Sequence, residues 1–166
     1  MGAMTDTAGW SGPPGMRAAM IKAAGTLHGL LYRWSGGRIG GTIRGGPVLL
    51  LTTRGRRTGR ERTRPLCYLE DGDGLVLVAS AGGEARHPAW YLNLRAYPRV
   101  GIQQGDRSRT MVARIAGGAE RARLWELFAR RYPVCARYRR KSGREIPVVI
   151  VRPERGKAKV DEHART

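Results

Sequence analysis

Three clusters in this sequence hold residue types that chemistry needs. The first is Leu49–Leu66, LLLTTRGRRTGRERTRPL, where an apolar run enters a turn with Arg54, Arg56, Arg57, Arg60, Arg62 and Arg64 against one acid, Glu61. Guanidinium groups are planar forks that match phosphate and carboxylate oxygens. Backbone N–H groups near Gly55 and Gly59 and the Thr58 hydroxyl add donors, so the turn fits a cradle for a phosphorylated, multiply anionic ligand. It fits equally a hairpin whose arginines all face solvent. The second cluster is ASAGGEARHPAWYLNL, residues 79–94, where glycines follow a strand-like run and Trp90, Tyr91 and Asn93 lie one short helix further on. Aromatic faces and an amide beside a backbone-lined crevice suit a flat heteroaromatic ring. Core packing of the two rings is the simpler reading. The third is RRYPVCARYRRKSGR, residues 130–144, in which Tyr132 and Tyr138 could cover a pocket and offer phenol protons. Its arginines could instead meet nucleic-acid phosphates while the tyrosines stack on bases, or the segment could be a solvated loop.

Other signatures are missing. No Gly-x-Gly-x-x-Gly follows a strand, GRRTGRER fails the P-loop spacing, and neither a Gly-x-Ser-x-Gly elbow nor a His-Glu-x-x-His pair occurs. The histidines His28, His87 and His163 form no metal-binding cluster, and Cys67 and Cys135 lack ligand spacing, so no metal site is expected. Hydrolase and metalloenzyme chemistry therefore start at a disadvantage.

The 166 residues suit one domain with a sizeable core. A net charge of +18, from 31 basic against 13 acidic side chains, predicts attraction to anions without naming one. An arginine-rich balance also arises simply in GC-rich genomes. Two distant cysteines suit a reducing compartment, no run of eighteen apolar residues spans a membrane, and no secretory signal pattern opens the chain. The expected setting is cytoplasmic.

Positioning these clusters requires a scaffold. Residues 1–15 and 154–166 read as flexible flanks, and 16–153 as a single domain. Met16, Met20, Ala23, Leu27, Leu30, Leu31 and Trp34 follow helical spacing, with basic residues and no acid on the other side. That helix either packs on the domain or lies on an anionic membrane face from the cytoplasmic side. Strands are expected over 47–53, 62–70, 75–80, 99–103, 107–115 and 146–151, with Pro65 arguing for an edge or bulge. Short helices are expected over 88–96 and 120–131, the latter with Leu124, Leu127, Phe128 and Arg131 on one stripe; 132–145 reads as a polar, irregular segment. Hairpin-like links imply mostly antiparallel pairing. The fold class is α+β, a small barrel of about six strands with about three peripheral helices.

Taken in order, LLLTTRGRRTG, RPLCYLEDGDGLVLVASAGG, HPAWYLNLRAYPRV, RYP and IPVVIVRP resemble the deazaflavin-dependent nitroreductase family, which uses coenzyme F420. The resemblance covers roughly residues 16–153. It implies a split β-barrel related to flavin-binding and pyridoxamine-phosphate oxidases, and a reductase that passes a hydride from the reduced deazaflavin to an electron-poor acceptor: an activated enone, quinone, unsaturated lactone or nitro compound. By carry-over, Arg56, Arg57 and Thr58 would hold the phosphate and oligoglutamate tail, and Arg62, Thr63, Arg64, Pro65, Leu66 and Cys67 would continue the wall. Val78, Ala79, Ser80 and Ala81 would line the ring through backbone contacts; Ala89, Trp90, Tyr91, Leu92 and Asn93, with Cys135, would complete the site. Ser80, Tyr132 and Tyr138 match substrate-side positions and are candidates to stabilise and protonate the acceptor. The nitroimidazole-activating member has tyrosines at the positions of Cys67 and Cys135 and lysine at that of Ala81, so smaller enones, quinones and lactones are the expected acceptors. Two alternatives remain: a barrel binding flavin mononucleotide or haem, and a nucleic-acid-binding module. The expected partner is a small-molecule acceptor, not a nucleic acid, for a monomer or homodimer.

Overall fold

The structure, a computed structural model, describes residues 46–154 and the backbone of Thr42 and Ile43. The helix expected over 16–34 lies outside the described residues. Eight strands are present: β1 (Thr42–Ile43), β2 (Gly46–Arg54), β3 (Glu61–Cys67), β4 (Leu69–Asp71), β5 (Gly74–Val78), β6 (Arg99–Gln104), β7 (Arg107–Ile115) and β8 (Val148–Pro153). Three helices join them: α1 (Ala89–Ala96), α2 (Gly118–Arg131) and α3 (Val134–Ser142). No helix among the described residues is long and apolar enough to cross a membrane.

Every strand pairing is antiparallel. The sheet runs β1-β2-β6-β7-β8-β5-β4, and β3 pairs with β2 alone. One buried residue, Tyr68, separates β3 from β4, so the two ends of the sheet are consecutive in the chain. The result is a barrel split open between β3 and β4. The single return strand expected over 62–70 is therefore two strands, because the chain leaves β2 at Cys67 and joins β5 at Leu69. Pro65 sits on an edge strand, where its missing N–H breaks no ladder on the far side.

The period-two alternation of the strands builds two apolar layers. Leu49, Leu51, Leu75, Leu77, Ile102, Met111, Val149 and Val151 point into the barrel, where α1 adds Trp90, Tyr91 and Leu94. Val76, Val148 and Ile150 point outward and are covered by Leu124, Trp125 and Phe128 of α2 and Cys135 of α3. Burial of each large aliphatic side chain contributes about 1.5–3 kcal/mol. On α2 the buried stripe is Leu124, Trp125 and Phe128; the expected stripe took in Leu127 and Arg131, both exposed, and missed Trp125.

The expected irregular segment 132–145 contains α3. Pro133 precedes its first turn, and Gly143 stops it with a left-handed backbone at φ 61. Arg139, Arg140 and Lys141 lie in its last turn, where cations favour the helix dipole. Few apolar residues mark this helix, because only Val134, Cys135 and Tyr138 face the core layer.

Candidate active site

The arginine turn is a compact loop between β2 and β3. Gly55 N–H donates to Arg60 O at 2.8 Å and Gly59 N–H to Gly55 O at 2.7 Å. Gly59 has φ 68, a conformation that costs glycine nothing. Thr58 Oγ1 accepts from Arg60 N–H at 3.4 Å, which leaves the hydroxyl proton to point elsewhere. The guanidinium of Arg54 stacks 4.6 Å from the Tyr97 ring centroid. Arg56, Arg57, Arg60 and Arg62 are exposed and Arg64 is half-buried. Among the described residues, every ion pair belongs to a basic residue outside this turn: Arg99, Arg114, Arg121, Arg123, Arg130 or Arg152. The cluster is thus a concentration of positive charge that its own described surroundings do not balance.

Asn93 fixes this turn to α1. Its Oδ1 accepts from Arg56 N–H at 3.2 Å, and its Nδ2 donates to Thr53 Oγ1 at 3.2 Å. Both Asn93 and Thr53 are buried, so these bonds lie in a low-dielectric setting. The sequence placed Asn93 on a ring-binding face; its amide holds the arginine turn in place.

The glycine loop follows β5. Ala79 N–H donates to Pro147 O at 3.0 Å, and Gly83 N–H to Ser80 O at 2.9 Å. Ala81, Gly82 and Gly83 take φ values of 49, 66 and 82 in succession. Ala81 is the one non-glycine residue with positive φ among those described, and such strain concentrates at functional sites. Among the described residues, the N–H groups of Ser80, Ala81 and Gly82 donate to no backbone carbonyl. Gly83 lies against α3: a Cβ there would stand 3.1 Å from Tyr138 Cα and 3.2 Å from Tyr138 O. This contact brings Tyr138 of the third cluster to the loop that carries Ser80.

The alternation of β3 divides the expected wall. Arg62 and Arg64 oppose Thr53 and Leu51 and share the barrel-side face with Leu66. Thr63, Pro65 and Cys67 point the other way; the Thr63 hydroxyl bonds Thr52 Oγ1 at 2.8 Å, and Cys67 packs under the helices. A strand cannot turn six successive side chains to one ligand. Val78 and Ala79 likewise face opposite layers. Ala89 is exposed and Leu92 half-buried on α1, whereas Trp90 and Tyr91 are core residues, 7% and 6% exposed. Cys135 is buried on the inner face of α3.

Tyr132, expected on the substrate side, lies within the core layer. Its side chain is 3% exposed, its hydroxyl donates to Tyr68 O at 3.1 Å, and burial pushes its pKa up to about 12. It ties the end of α2 to the junction between β3 and β4. Sequence reading missed His87, whose ring lies 4.9 Å from Tyr91, and Arg144, which reaches the glycine loop. The phrase HPAWY offered His87 as a signal only by its place before α1; nothing marked Arg144 among so many arginines.

Helix α1 organises the whole. Its eight residues span about 12 Å. The glycine loop, with three N–H groups that donate to no backbone carbonyl among the described residues, leads into its N-terminal end. The arginine turn is fastened to Asn93 and to Tyr97, just past its C-terminal end. An elongated ligand with a hydrogen-accepting ring edge and a polyanionic tail matches that donor set. The fold is that of a split-barrel protein.

The chain belongs to the F420H(2)-dependent quinone reductase family, whose model matches residues 26–153. It is similar to an F420H(2)-dependent quinone reductase of Mycobacterium tuberculosis, 41% identical over an alignment of 132 residues that covers 75% of this chain and 87% of the relative. Among solved structures it resembles an F420-H2 dependent reductase at 42% identity and TM-score 0.59, covering 63% of this chain and 93% of that one. A second structure, described as a domain-swapped dimer, is 35% identical with TM-score 0.61 and covers 81% of this chain and 98% of that one. Its family makes the protein an F420-dependent oxidoreductase with a small-molecule substrate.

Proposed function

We propose that the protein reduces quinones and related electron-poor acceptors at the expense of reduced F420, with α1 as the bar along which the coenzyme lies. The observation that carries this reading is the pairing, among the described residues, of arginines without an ion pair at one end of α1 with N–H groups that donate to no backbone carbonyl at the other. Arg56 and Arg57 would hold the phosphate and glutamates, with Thr58 adding a hydroxyl and Arg62 and Arg64 extending the positive face into the barrel mouth. Ser80, Ala81 and Gly82 would donate N–H groups to the ring edge. When bound, reduced F420 supplies a hydride to the acceptor.

The chain's own share is orientation, charge and a proton. Negative charge developing on the acceptor oxygen is met by N–H and O–H dipoles already fixed in place. Ser80, half-buried at the start of the glycine loop, and Tyr138, brought to that loop by Gly83, are the hydroxyls we assign to that oxygen. Tyr132, whose hydroxyl already donates to Tyr68 O, is left out of this assignment. The experiment follows the loss of reduced-coenzyme absorbance against menaquinone analogues, enones, coumarin-type lactones and nitroimidazoles. Turnover with quinones supports the reading; binding of F420 with no turnover on any quinone overturns it.

A further inference from the structure

Arg144, just beyond α3, makes an unusual set of contacts. Its Nε donates to Glu84 O at 3.1 Å, one Nη donates to both Ala79 O and Arg86 O at 3.1 Å, and the other donates to Glu145 O at 3.3 Å. These acceptors are all backbone carbonyls. Among the described residues no carboxylate pairs with this guanidinium. Three of the carbonyls come from the glycine loop, one at its start and two at its end. Arg144 therefore spans the loop's base, while Gly83 rests on α3 at its tip.

We infer that Arg144 is a positioning residue that clamps the glycine loop in its left-handed course and aims the Ser80 N–H at the ring-binding side. The peptide joining Ala79 to Ser80 is trans and planar, so its carbonyl and N–H point in opposite directions. With the Ala79 carbonyl drawn to Arg144, the Ser80 N–H faces away from it. A cation on the carbonyl also polarises the peptide and strengthens its N–H as a donor. The loop holds Ala81 at φ 49 against its preference, and short glycine-rich segments revert to other conformations unless they are tied down. Lysine could satisfy part of this set, because its ammonium has three donors but no fork. The inference rests on the proposed binding of the deazaflavin ring at this loop.

The test compares wild type with Arg144→Met and Arg144→Lys. Hydrogen exchange on the protein without coenzyme reads the clamp by itself: amides of residues 80–86 exchange faster in Arg144→Met, while those of β2 and α2 do not change. Titrations with F420 and with the bare deazaflavin lacking phosphate and glutamates then read the aim of the loop, both well below the melting temperature. Arg144→Met weakens both ligands by the same factor, on the order of tenfold, and Arg144→Lys recovers part of it. Unchanged loop exchange, or affinity within twofold of wild type in a folded variant, overturns the inference. If Arg144→Met fails to fold, Arg144→Lys carries the same comparison, with smaller shifts of the same sign expected. Failure of the wild type to bind either compound would overturn the proposed function instead, and the exchange data would distinguish the two.

Discussion

Single side chains here divide into those that meet a ligand and those that hold the parts that do. Asn93 is of the second kind. Asn93→Ala removes the acceptor of the Arg56 N–H and one donor to Thr53 Oγ1, whose hydroxyl keeps its bond to Arg62 O, at a cost of about 1–2 kcal/mol. Thermal melting should show this loss, and F420 affinity should fall with it because the turn loses its anchor. Tyr132→Phe, by contrast, removes one bond to Tyr68 O and should cost about 1 kcal/mol without changing kcat, while Ser80→Ala or Tyr138→Phe lowers kcat in a protein of near-normal stability. A steady-state assay beside a melting curve separates the two patterns. His87 sets a pH dependence. Burial first, then the charges of Arg144 and Arg95, hold its pKa below the usual 6.5. Between that folded value and 6.5 the unfolded chain binds the proton more readily, so stability falls as pH drops through this window. His87→Gln should flatten the fall in melting temperature between neutral pH and the onset of carboxylate titration. The residue types of the arginine turn were legible because arginine is rare in such density. The roles of Asn93 and Tyr132 were not, since a sequence does not show which buried polar atom finds which partner.

At the scale of elements, α1 and the contact between the glycine loop and α3 carry the site. Gly83→Ala forces a positive φ on alanine and sets its Cβ 3.1 Å from Tyr138 Cα and Lys141 Cδ. The backbone cost alone is about 1–2 kcal/mol, and α3 must shift to admit the methyl. We expect a lower melting temperature and weaker binding of the bare deazaflavin, with the arginine turn still binding anions. A crystal structure of the variant would show α3 displaced from the loop; an unmoved α3 would refute the contact's importance. The strands were readable from their turns and from alternation, as Met111 and Ala113 on β7 show. The break at Tyr68 was not, because a strand that changes partners looks continuous in hydropathy. Nor was α3, whose basic surface hides a three-residue apolar face.

For the whole molecule, a net charge of +18 has a local meaning. Arginines on α2 and β7 are spent in ion pairs, such as Arg123 with Asp71, bonded at 2.9 and 3.0 Å, and Arg114 with Glu120. Those of the arginine turn are held in reserve, which predicts coenzyme binding that weakens as salt screens them. The open barrel supplies a rigid mouth, and α1 sets the distance between charge and ring. The measurement that tests this most directly is a titration of wild type and an Arg56→Glu, Arg57→Glu double variant with F420 and with the bare deazaflavin. Wild type should bind F420 far more tightly than the bare ring, and the double variant should bind the two alike. Equal affinity of both proteins for F420 would contradict the account at its centre.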